Sequence, residues 1–121
     1  MVAQVGPQIG PNAFSSLAAT PEWLDSDMAK AFMRAYKKTR AYMNETPAAE
    51  IARAEKPFFP DIDEAVLADC IGTYQKLGCW TPHAEITREA FDVAQDVFVH
   101  YGAITERYAY EDAIAQPPST E

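Results

Sequence analysis

Cysteine, tryptophan, histidine and glutamate fall within seven residues in the run Cys79-Trp80-Thr81-Pro82-His83-Ala84-Glu85. Thiolate, imidazole and carboxylate are the ordinary zinc ligands, and a thiolate beside an imidazole makes a cysteine nucleophile. The spacing argues against both chemistries. A closed zinc site takes four ligands, yet the chain's two cysteines and two histidines form no Cys-x2-Cys or His-x3-His pair. Thiolate activation needs a base held against the sulfur, and His83, four residues beyond Cys79 with Pro82 between, is not spaced for that role. The segment reads as a connector with no metal and no catalytic residue, and Trp80 is its apolar anchor. No cofactor is expected.

A second stretch suits binding rather than reaction. Residues 6–16 read GPQIGPNAFSS, where glycines and prolines fix a loop whose backbone can approach a ligand closely. Asn12, Ser15 and Ser16 offer neutral donors suited to an oxyanion, and Phe14 can stack on a planar ring. These four are the candidate ligand-binding residues. The competing assignment for the same stretch is a hinge strand packed on its sheet neighbours. His100 near a helix C-terminus reads as structural, the Phe32, Tyr36, Tyr42 stripe as core, and Lys37, Lys38 and Arg40 as a solvated face.

The elements that position these residues follow from capping and periodicity. Asn12 to Ala19 reads as a short extended run or strand, with Phe14 and Leu17 as its large apolar members. Thr20-Pro21 opens a helical turn through Trp23 and Leu24. Asp25 or Ser26 caps a long amphipathic helix over 27–44, carrying Met28, Ala31, Phe32, Ala35, Tyr36, Thr39, Tyr42 and Met43 at three-four spacing. Thr46-Pro47 opens a shorter helix that must stop before Pro57, and the FFP that follows reads as a loop with an apolar plug. Asp61-x-x-Glu64 resembles a capping box ahead of a helix with Val66, Leu67, Cys70, Ile71, Tyr74 and Leu77 on its apolar stripe, and Gly78 supplies its C-cap. Thr87 caps a fourth helix whose core face is Phe91, Ala94, Val97, Phe98 and Tyr101, ended by Gly102. A last turn spans Glu111 to Ala115, and the tail QPPSTE is expected to fray.

Composition narrows the partners. A chain of 121 residues suits one domain, and its net charge of −8 repels nucleic-acid phosphates and anionic lipid. No stretch approaches the roughly 20 apolar residues that span a bilayer. The opening MVAQVGPQIG has neither the basic nor the apolar region of an export signal. Cys70 and Cys79 are too few for a disulfide framework, and the sequence leaves a bridge between them open. A lone strand among helices is unusual, because a strand needs a neighbour for its backbone groups. An upstream part is therefore expected.

Four blocks in order, AFMRAYKKTRAYMNETPAAEIA, FFPDIDEAVLADCIGTYQKLGCW, EITREAFDVAQDVFVHYGAI and RYAYEDAI, resemble the C-terminal portion of the ABC-transporter solute-binding proteins for nitrate, sulfonates such as taurine, or the thiamine pyrimidine precursor. The resemblance covers most of positions 12 to 115. It implies that this mainly α chain, four to five helices plus one N-terminal strand or extended arm, is part of a two-lobed α/β periplasmic binding protein fold. Residues 1–20 would form the arm with a hinge-like strand, 21–115 a helical region covering one lobe, and 116–121 a frayed tail. The implied partners are a small-molecule solute and an ABC permease, with a periplasmic or extracytoplasmic location. The related fungal enzymes that make the thiamine pyrimidine carry a cysteine-rich iron-binding motif, which this sequence does not have. A binding role, with no enzyme activity, is expected. An isolated chain of this kind is also expected to self-associate, through strand pairing or exchange of arms. The competing hypothesis is a stand-alone helical interaction module packing its apolar faces against a partner helix.

Overall fold

The computed structural model describes residues 6–13 and 15–120. It is mainly helical: α1 (Gly6–Ile9), α2 (Pro21–Leu24), α3 (Asp27–Glu45), α4 (Ala48–Glu55), a 3-10 turn (Lys56–Phe58), α5 (Glu64–Leu77), α6 (Arg88–Tyr101) and α7 (Tyr110–Ala113). The described residues divide into two compact units. One comprises those of Met1–Lys30 together with Glu85–Ser119, and the other Ala31–Ala84 with Thr120.

No strand forms among the described residues. Residues 12–13 and 15–20 instead follow an irregular course, and the Ala13 N–H donates to the Ala90 carbonyl of α6 at 3.1 Å. A ladder needs a neighbouring strand, so a helix carbonyl takes the donor that a strand would have paired. Gly6–Ile9, expected as loop, makes one helical turn.

In the unit of α4 and α5, local chemistry sets the ends and aliphatic packing joins the elements. The α5 cap is Asp63, two residues beyond the expected Asp61; its carboxylate accepts from the Ala65 N–H at 2.8 Å because the helix begins at Glu64. Gly78 ends it at φ +66°, a left-handed conformation that costs glycine little. For α4, Pro47 occupies the cap position with no side-chain hydrogen bond, so Thr46 does not act as the cap. Ile51 and Ala52 of α4 lose all exposure against Leu67 and Ile71 of α5, and Met43, Ala48, Ala68 and Trp80 pack around them. Gln75 donates to the Met43 and Thr46 carbonyls, both at 2.8 Å, satisfying acceptors at the end of α3. The loop after α4 has no apolar plug: Phe58 is 80% exposed. The Lys56 ammonium holds it instead, donating to the Phe59, Pro60 and Ile62 carbonyls.

In the other unit the joints are polar. Thr87 caps α6 by accepting from the Ala90 N–H at 3.2 Å, and Gly102 ends it at φ +77°. Buried Gln95 accepts from the Tyr108 N–H at 2.6 Å and donates to the Tyr108 carbonyl at 3.2 Å, so one amide reads both backbone groups of that residue. Tyr110 donates its hydroxyl to the Ile86 carbonyl at 2.5 Å and meets Phe91 edge-on. Arg88 lies over the Tyr110 ring and pairs with Glu111, and Arg107 pairs with Asp96. Thr20 caps α2 ahead of Pro21, and Ser26 both donates to the Trp23 carbonyl and accepts from Ala29 N–H.

Candidate functional site

Asn12, Ser15 and Ser16 lie on the irregular arm between α1 and α2, and Phe14 lies outside the described residues. Gly10, at φ +85°, turns the chain just before them in a conformation that favours glycine. The serines are exposed, and the Ser16 hydroxyl makes a long 3.5 Å bond to the Ala13 carbonyl. Asn12 is half-buried, and its Oδ1 is shielded from solvent with no hydrogen-bond partner. A shielded acceptor left unmade costs about 1 to 3 kcal/mol, which a donor brought by a ligand would recover.

Beginning two residues beyond Ser16, Ala18, Ala19, Thr20 and Trp23 line an open recess of about 350 Å³. Two methyl groups and an indole make its walls apolar, and the Thr20 hydroxyl serves the Trp23 N–H as a helix cap. Sequence reasoning took Thr20 and Trp23 only as a helix opening; a tryptophan at the end of the candidate loop was the signal that could have marked them. Asn12 and the serines are not among the residues that line this recess.

The connector contains no grouped ligands. Cys79 and Cys70 are free, exposed thiols, and His83 is exposed with its carbonyl accepting from the Thr81 hydroxyl. Among the described residues no group of three or more His, Cys, Asp or Glu side chains is arranged to hold a metal ion. Trp80 packs on the α4–α5 core and meets Tyr74 edge-on at 5.7 Å, while its carbonyl accepts from the Asn44 side chain at 2.7 Å. Of the basic cluster, Arg40 lies over the Tyr36 ring and donates to its hydroxyl at 2.9 Å; Lys37 and Lys38 are exposed. His100 is exposed in the last turn of α6. Among the described residues no helix is long and apolar enough to cross a membrane. No family model matches the chain, and neither a curated protein nor a solved structure matches it.

Proposed function

We propose that the chain is the C-terminal portion of an ABC-transporter solute-binding protein of the two-lobed α/β kind. Such a protein captures nitrate, a sulfonate such as taurine, or the thiamine pyrimidine precursor outside the cytoplasm and hands it to a permease. It makes and breaks no bond. The observation that carries this reading is the ordered series of four sequence blocks between positions 31 and 114. The unpartnered Asn12 Oδ1 supports it, since a solute that carries an amine would find an acceptor there, and Ser15 and Ser16 follow on the same arm.

The test is to express the reading frame continued upstream of Met1 and titrate the product calorimetrically with taurine, nitrate and the pyrimidine precursor. A first lobe upstream, saturable binding of one solute, and roughly tenfold weaker binding in Asn12→Leu are the expected results. An upstream frame that encodes no first lobe would refute the proposal. A second reading, a helical interaction module, is favoured by one observation: α5 leaves Val66, Cys70, Tyr74 and Leu77 exposed along one side.

A further inference from the structure

Helix α5 is apolar on two sides, and only one of them is covered. Leu67 and Ile71 face Ile51 and Ala52 of α4. At 100° per residue, Val66, Cys70, Thr73 and Leu77 fall in a separate stripe at 4-3-4 spacing, the seam pattern of a helix pair, with Tyr74 beside it. The stripe is open to solvent: Val66 is 54%, Tyr74 51% and Leu77 44% exposed, and Cys70 is an exposed thiol. Val66, Asp69, Cys70, Thr73 and Tyr74 line a shallow groove of about 320 Å³ along it.

Charge identifies the occupant. Two charged side chains, Asp69 and Lys76, border the stripe on the edge away from the core; they are exposed and seven residues apart. We propose that the stripe is a docking surface for a second copy of this chain, with the two α5 helices antiparallel. In that arrangement Val66 lies opposite the partner's Leu77, and Cys70 opposite the partner's Thr73. The same edge of each helix then faces its mate, so Asp69 meets the partner's Lys76 and Lys76 the partner's Asp69. A parallel pair would make neither reciprocal contact, and an acidic partner helix would leave Asp69 facing like charge. The contact is isologous, so it closes at two copies. A single 14-residue helix, about 21 Å long, offers less than the roughly 800 Å² per partner of a standard interface. The dimer is therefore weak and concentration-dependent. It rests on α5 alone and not on the solute-binding proposal. It also differs from strand pairing, which the described arm does not offer.

The experiment is sedimentation equilibrium on the whole chain from micromolar to millimolar concentration at about 0.15 M salt, where the Debye length is about 8 Å. The expected apparent mass rises from 13.4 kDa toward twice that value. Val66→Glu should weaken association by at least roughly tenfold, and Asp69→Lys or Lys76→Asp alone by roughly threefold to tenfold. The double variant Asp69→Lys/Lys76→Asp should restore it, because the reciprocal pairs re-form with signs exchanged. All charge changes are at exposed positions, and circular dichroism checks that each variant folds. A chain that stays at 13.4 kDa throughout overturns the proposal. So does a dimer indifferent to all four variants, which would use another surface. Loss in both single charge variants without rescue in the double overturns the antiparallel register.

Discussion

In the α4–α5 unit the side chains withdrawn from water are Ile51, Ala52, Leu67 and Ile71, whose attraction is non-directional and proportional to area. The α6–α7 unit buries Ala94 and Gln95 on α6, and what fastens α7 and its approach is a set of directed contacts. Gln95 holds Tyr108, Tyr110 holds Ile86, and Arg88 holds Glu111. The difference is in how each unit fails. An aliphatic joint loses its contacts and gains a cavity when one side chain shrinks. Water can replace the partners of a polar joint, so each of its bonds is worth less, and the Arg88–Glu111 pair also depends on pH and salt.

The change that should break this contrast most forcefully is Ile51→Ala. Ile51 is the largest side chain with no exposure among the described residues, so the loss should be roughly 2–5 kcal/mol by denaturant midpoint. Amide exchange should accelerate across α4 and α5. A variant as stable as the parent would show that the aliphatic joint does not hold the unit.

Gln95→Ala removes both bonds to Tyr108, whose side chain is exposed and whose backbone water can reach once α7 loosens. About 1–2 kcal/mol of local stability should go, read as faster exchange of the Tyr108 and α7 amides with α4 and α5 unchanged. Equal acceleration in α4 and α5 would erase the distinction between the units.

Glu111→Gln should have the smallest effect and the clearest signature. The Glu111 carboxyl is held below its ordinary value of 4.5, first by its backbone hydrogen bond and then by the Arg88 guanidinium. A depressed folded-state value adds stability that is present above 4.5 and lost as pH falls through the folded value. The parent and variant should therefore differ slightly at neutral pH in low salt, and converge in acid or at high salt. A difference that persists in acid would assign the effect to packing. Glu111 is exposed, so solvent screening keeps the effect small.

Helix ends were legible because their causes lie within three or four residues: Thr20 before Pro21, Thr87, Gly78 and Gly102 all act as their types dictate. Asp63 was missed for Asp61 because both carboxylates precede the helix and only its first residue decides between them. Choosing the covered face was harder. On α3 the three-four pattern pointed to Met28, Phe32 and Tyr42, yet Met28 is 68% exposed and the buried residues are Ala29 and Met33. Periodicity finds an apolar face but not what covers it, and α3 and α5 each carry more apolar surface than the described residues cover. The candidate loop was legible in residue type alone. Its unpartnered Asn12 Oδ1 and the Trp23 recess depend on the fold around them.

On the proposal that the chain is a portion of a two-lobed binder, a cleft needs walls from both lobes and this chain would supply at most one. The most direct measurement is calorimetric titration of this chain alone with taurine, nitrate and the thiamine pyrimidine precursor. The account predicts no saturable heat with any of the three. Micromolar binding of one of them by the 13.4 kDa monomer would contradict it and make this chain a complete binding domain.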